Sequence, residues 1–340
     1  MDNMGFGSRV HRWLPSIGLS LMFCLATLAV TPSLESQSEG PLHAPPGRQL
    51  SERVAADANV KPLRIDVNVV LVPVTVSDAM NHPITGLGKQ NFVLSENDLQ
   101  QEIQYFSTED SPISIGLLVD LSKSMANKFD AERSAISEFF NNANSEDDYF
   151  VVTFSSHPDV LTEVTQSIGT IQAKLGSAIP SGSTAMLDAI SMAMMRMHQA
   201  KYKRRALLII SDGGDNNSHH KYREIKSLVR DSDVEVYAIG LFDTSFFKTF
   251  EESIGKKWLS GITDATGGRT ITVDSIDKMA DAATTISREL RSQYVLGYRP
   301  SNALSDGKRR QIKVHVINSS ASTVQLQAYY KRGYIIPKER

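Results

Sequence analysis

Three stretches of this chain place oxygen-bearing side chains where chemistry can be done. The first, "VDLSKS", sets Asp120, Ser122 and Ser124 at alternate positions just after an apolar run. The second, "GSTA", contains Thr184, and the third, "SDG", contains Asp212 at the end of another apolar run. In extended backbone residues i and i+2 project to the same side, so the hydroxyls of Ser122 and Ser124 can face one point as the chain leaves its strand. Together the five residues offer two carboxylates and three hydroxyls, with no thiol and no histidine among them. Hard oxygen donors of this kind suit a hard divalent cation. Mg²⁺ fits best and Mn²⁺ is the other candidate, because Mg²⁺ accepts octahedral oxygens and keeps waters where the protein leaves gaps. Any helix that follows such a strand brings free N–H groups, which repel a cation and attract carboxylates. The sequence therefore predicts that those amides hold the outer carboxylate oxygens rather than the metal.

The elements around these stretches explain how they meet. "SIGLLVD", "YFVVTFS", "ALLIISD", "VEVYAIG" and "RTITV" read as strands. Between and after them lie helical periods, among them "KFDAERSAISEFFNNA", "AMLDAISMAMMRMHQA", "HKYREIKSLVRD" and "FKTFEESIGKKWLSGI". Strands that are apolar throughout belong to a parallel sheet covered on both faces, and regular alternation with helices predicts a doubly wound α/β fold. In such a sheet ligands bind beyond the carboxyl ends of the strands, where the strand order reverses. Asp120 and Asp212 both stand at strand ends, and Thr184 precedes a helix. "VLTEVT", after Pro158, is expected as a short antiparallel edge strand.

The flanks have a different texture. "LRIDVNVVLVPVTVSD", "FVLSEN" and "QEIQYFST" precede the α/β region, and "YVLGYRP", "RRQIKVHVI" and "VQLQAYYKRGYII" follow it; all read as β. Pro73 has no N–H to give to a ladder, so it predicts an edge or a bulge. The expected organisation is a leader over 1–32, a flexible polar linker over 33–62, an N-terminal β segment over 63–108, an α/β domain over 109–291 and a C-terminal β segment over 292–340. The two β segments are expected to share one small sheet domain. The leader has Arg9, His11 and Arg12 before the apolar run "IGLSLMFCLATLAV", the pattern of a signal peptide, with an uncleaved anchor helix as the alternative. Export to the periplasm, cell surface or medium follows, and contact with a membrane is expected only through such an anchor. The one cysteine, Cys24, lies in this leader, so the remainder has no disulfide.

The three motifs resemble, in type, order and separation, the metal-ion-dependent adhesion site of von Willebrand factor type A domains. The resemblance covers about residues 110 to 290. It implies that Asp120, Ser122 and Ser124 form the first motif, Thr184 the second and Asp212 the third. It further implies that a protein partner supplies an Asp or Glu to complete the metal's shell. The flanking β segments resemble those of an exported bacterial subgroup, known best in acidobacteria.

Plainer readings stand beside these. Ser124 alone reads as a helix N-cap and Asp120 alone as a strand-end residue. Asp215 and Asn216 read as loop residues, Asp188 as a helix residue touching its neighbours, and His219 and His220 as solvated. The methionines of "ISMAMMRMHQA" read as core filling. A formal net charge of −2 leaves no footprint for nucleic acid, and "KYKRR" is too short to make one. An enzyme is not expected. A phosphatase of the aspartyl-nucleophile type would want a carboxylate where Ser122 stands, and no histidine or glutamate is recognisably placed as a base. A metal-dependent hydrolase on this fold, or an envelope protein whose metal only stabilises it, remain the alternatives to a binding module.

Overall fold

The computed structural model describes residues 69–108, 110–242, 250–301, 306–317 and 325–336. The expected leader and linker lie outside the described residues.

The chain first lays down β1 (Val70–Ser77), β2 (Phe92–Glu96), β3 (Leu99–Gln101) and β4 (Ile103–Ser107). The α/β part follows: β5 (Ser114–Asp120), α1 (Phe129–Phe140), β6 (Asp148–Phe154), β7 (Pro158–Thr165), α2 (Ile168–Gly176) and α3 (Met186–Met197). It continues with β8 (Arg205–Ser211), α4 (Tyr222–Arg230), β9 (Glu235–Leu241), α5 (Phe250–Thr266), β10 (Thr270–Val273) and α6 (Met279–Arg291). Four strands close the described chain: β11 (Tyr294–Tyr298), β12 (Arg309–Val316), β13 (Gln327–Tyr330) and β14 (Gly333–Ile335).

The central sheet has the order β10-β9-β8-β5-β6-β7. All its pairings are parallel except that of β6 with β7, which is antiparallel and lies at the edge. Every residue of β5 and β6 is buried, as an interior strand covered on both faces requires. The alternate residues of one strand serve two separate cores. Leu117 and Val119 of β5 pack with Ile136 and Phe139 of α1, Leu175 of α2 and Ile286 of α6. Leu118 points the other way, into Ile190 and Met194 of α3, Val229 of α4 and Leu259 of α5. This is the doubly wound α/β architecture, with three helices on each face. The methionines Met186, Met194 and Met197 are buried in the second core. Because β6 and β8 flank β5 on opposite sides, the strand order reverses beside β5. In open α/β sheets that reversal is where ligands bind, beyond the carboxyl ends of the strands.

Two further four-stranded sheets, β13-β1-β11-β4 and β14-β12-β2-β3, each combine strands from before and after the α/β part. They share one core, in which Val72, Val74 and Leu296 of the first meet Leu94, Ile312 and Val314 of the second. The strands from before and after the α/β part thus share one flanking β domain, as expected, and it is built of two facing sheets. The incoming strand β4 pairs with the outgoing β11, Val295 opposite Ser107, so the ends of the α/β part lie side by side.

Two local expectations are corrected. Pro73 lies neither on an edge strand nor at a bulge, since β1 is interior to its sheet. Its partners overlap only at Val74, however: β11 pairs with Val70 to Val74 and β13 with Val74 to Ser77. Pro73 therefore stands in a stretch of β1 paired on one side only, a local edge of the kind that tolerates proline. The run "VQLQAYYKRGYII" is not one strand but two, β13 and β14, in different sheets. The chain switches at Gly333, which has φ +151 and sits so near the Arg310 carbonyl oxygen that an added Cβ would lie 2.2 Å from it. Only glycine makes that approach.

Candidate metal centre

Asp120 ends β5 and is fully buried. Its Oδ1 accepts the backbone N–H of Ser122 at 2.9 Å, and its Oδ2 accepts the hydroxyl of Ser211 at 2.6 Å. Ser211 is the last residue of β8, the neighbouring strand, and its Oγ in turn accepts the N–H of Gly213 at 3.0 Å. One hydroxyl thus locks the first carboxylate to the turn that carries Asp212. After Asp120 the chain leaves the sheet: Leu121 N–H donates to Phe154 at 2.7 Å, Ser122 is extended at φ −68 and ψ 162, and a short 3-10 turn follows over Lys123–Met125. The hydroxyls of Ser122 and Ser124 lie 3.0 Å apart, the first buried and the second exposed.

The second stretch is pinned to the first and the third by backbone. Ser181 N–H donates to the Leu121 carbonyl at 2.7 Å, and Lys123 N–H to the Gly182 carbonyl at 3.1 Å. Thr184, buried just before α3, gives its N–H to Asn216 Oδ1 at 3.0 Å, while its carbonyl accepts the N–H groups of Asn216 and Asn217, each at 3.0 Å. The loops bearing Asp120, Thr184 and Asp212 therefore form one connected rim above β5 and β8.

Asp212 is nearly buried and accepts a weak bond from Gly214 N–H at 3.4 Å. Its turn is shaped by Gly213 at φ +78 and pressed by α5. A Cβ on Gly255 would lie 1.9 Å from the Gly213 carbonyl oxygen, so helix and turn touch backbone to backbone.

Three groups to which the sequence reading gave no role complete the centre, although Ser211 lies within "SDG". Ser211 is one. Glu132, on the first turn of α1, is fully buried; its Oε1 accepts Asp120 N–H at 3.2 Å and its Oε2 has no hydrogen-bond partner. A glutamate thus stands beside Asp120 after all, although it is closed off from solvent. The third is Lys128, whose Nζ lies 3.2 Å from Asp212 Oδ2. The signal that could have found two of them is helical position: Lys128 and Glu132 are four residues apart, on one face of α1's first turn.

The electrostatics follow from this crowding. Burial pushes the Asp120 carboxyl up to about 6, the hydrogen bonds from Ser122 and Ser211 restrain the rise, and the charge of Asp212 adds to it. Burial likewise drives Glu132 well above the ordinary carboxylate range, with Asp120 the next cause. Carboxylates placed so close, out of water, favour a cation among them. The donor set of carboxylate and hydroxyl oxygens fits a hard divalent ion, and the Lys128 ammonium already takes a cation's place against Asp212. Among the described residues no three His, Cys, Asp or Glu side chains are grouped to hold a metal, so a metal here would depend on the hydroxyls.

The neighbouring residues do other work. Asp215 Oδ2 accepts Leu187 N–H at 2.8 Å and the Ser218 hydroxyl at 2.7 Å, which caps the start of α3. The helix amide thus holds Asp215, not Asp120 or Asp212. Asp188 accepts the N–H of His219 and of His220 and touches both rings. Partial burial acts to raise its carboxyl, but these bonds outweigh it and hold the group well below its usual range.

No curated protein matches the chain. Among solved structures, BatB from Bacteroides thetaiotaomicron is similar at 18% identity, over 54% of this chain and 100% of that one, with a TM-score of 0.42. A von Willebrand factor type A protein from Catenulispora acidiphila shares 11% identity over 79% of this chain and 74% of its own, with a TM-score of 0.46. Proximal thread matrix protein 1 from the mussel byssus, solved with a zinc-occupied MIDAS motif, shares 18% identity over 57% of this chain and 49% of its own, with a TM-score of 0.45. Residues 115–214, the span that carries Asp120, Ser122, Ser124, Thr184 and Asp212, match the family model of the von Willebrand factor type A domain.

Proposed function

We propose that this protein is a metal-dependent protein-binding module, exported from the cell, and not an enzyme. Asp120, Ser122, Ser124, Thr184 and Asp212 would hold Mg²⁺, or Mn²⁺ in its place. The ion's part is to offer one outward position to an acidic side chain of a partner protein. The chain's own residues do the rest. Ser211 and the Ser122 amide fix Asp120, and the Asn216 contacts fix the Thr184 loop. The turn at Gly213 fixes Asp212.

The observation that supports this reading is the joining of the three loops that carry these residues, at the point where the strand order reverses. Glu132 could suggest a hydrolase's base, but it is fully buried behind the Asp120 amide and out of a substrate's reach. Among the described residues no helix is long and apolar enough to cross a membrane. The test is binding of partners captured from envelope extract, in Mg²⁺ and in EDTA, by wild type and Thr184→Ala. Thr184→Ala removes a rim hydroxyl and leaves the strands untouched, so it should weaken metal-dependent binding by about ten-fold and folding by far less. Equal binding in every condition overturns the reading. Metal-dependent turnover of a phosphate or ester would replace it with the hydrolase.

A further inference from the structure

Lys128 is the cationic residue at this centre, and no motif accounts for it. It is the N-cap of α1, at the end of the short loop that begins with Ser122. Its ammonium sits 3.2 Å from Asp212 Oδ2, about a quarter of the side chain is exposed, and Asp212 is only 12% exposed. Two further carboxylates, of Asp120 and Glu132, are fully buried nearby, and among the described ion pairs neither has a cationic partner. Lys128 is therefore the counter-charge in contact with this acidic centre, and it holds an oxygen of a residue that a divalent ion needs.

We propose that Lys128 is a built-in competitor for the metal: its ammonium neutralises Asp212 in the metal-free protein and must swing away before a divalent cation can take that carboxylate. This rests on the reading of the centre as a divalent-metal site. The chemistry of the side chain suits the role. Lysine carries a single point charge on a flexible four-carbon stem and makes one monodentate contact here, so it can leave into water without breaking the fold. Arginine would grip the carboxylate through a planar fork and leave less readily. The exchange also links metal to stability. Without metal, Lys128 offsets the repulsion among Asp120, Glu132 and Asp212; with metal, that task passes to the ion.

The test uses the chain with its α/β and β parts intact, stripped of metal and titrated calorimetrically with Mn²⁺ and with Mg²⁺. Lys128→Met should bind metal about five-fold more tightly than wild type, and Lys128→Arg more weakly. Lys89→Met removes the same charge from an exposed position before β2, away from the centre, and should leave affinity unchanged. Thermal unfolding gives a second readout: Lys128→Met should melt lower than wild type in EDTA, and saturating metal should raise its midpoint by more. Equal affinity for wild type and Lys128→Met overturns the inference while leaving the metal site standing. An equal gain from Lys89→Met also overturns it, because overall charge alone would then be acting. Metal binding by neither protein overturns the metal site itself, and the inference with it.

Discussion

At the scale of single residues, the centre is a set of carboxylates kept out of water by a few well-aimed donors. Asp120 shows the cost. In the unfolded chain its carboxyl titrates near 3.8, whereas burial raises it to about 6 in the folded protein. A raised carboxyl means that the folded state holds a proton which the unfolded chain releases. Its favourable contribution is present at low pH and is lost as pH rises through about 6. Glu132 shifts in the same direction. In EDTA, wild type should therefore lose stability relative to Asp120→Asn between about pH 4 and about pH 7, because the amide does not titrate. Urea midpoints of the two proteins across that range check this, and a constant difference would refute it. Ser122 and Ser211 contribute at the same scale, since both bond the ionised form and restrain the rise.

At the scale of elements, the position of the site depends on how closely α5 approaches the turn after β8. Asp212 is carried by that turn, and Gly255 lets the helix touch it. In Gly255→Ala the new Cβ would lie 1.9 Å from the Gly213 carbonyl oxygen, so the helix or the turn must move. Overpacking of this kind costs about 1–3 kcal/mol. The expected outcome is a loss of stability of that order, together with weaker metal binding, because Asp212 moves with its turn. Gly176→Ala is the control: it lies at the end of α2, where an added Cβ meets nothing within 4 Å. Chemical denaturation and metal titration of both variants would decide it. The prediction fails if Gly255→Ala keeps wild-type metal affinity.

At the scale of the whole molecule, a buried ion pair ties the α/β part to the flanking sheets. Arg269, just before β10, donates from Nε to Glu289 of α6 at 3.1 Å and makes a second, shorter contact to the same carboxylate. It also bonds Asn81, in the loop after β1, and stacks over the ring of Tyr329 in β13. Arg269 is 5% exposed and Glu289 fully buried. Breaking such a pair from one side leaves a buried charge without a partner and costs about 3–5 kcal/mol. Arg269→Met should destabilise by that order. Adding Glu289→Gln to it should recover part of the loss, since the stranded charge is then removed. A double-mutant cycle from denaturant unfolding measures both terms, and a double variant no more stable than Arg269→Met would contradict the account.

What the sequence by itself determined were the features that repeat along the chain. Apolar strands alternating with helical periods specified the doubly wound sheet, because burial on both faces demands unbroken apolar runs. Turn chemistry and spacing singled out Asp120, Ser122, Ser124, Thr184 and Asp212 as candidates. The tertiary structure alone decided the contacts between distant segments. Ser211 meets Asp120 across 91 positions and Lys128 meets Asp212 across 84, and no local pattern encodes either pairing. Glu132 was hidden for the same reason: a glutamate in the first turn of a helix reads as a favourable charge at its N-terminus. Only packing against β5 takes it out of water. The last run, read as one strand, is split between the two flanking sheets, and the chain enters the second at Gly333 through a close approach to Arg310. Strand propensity marks each run as β but carries no information about which sheet it joins.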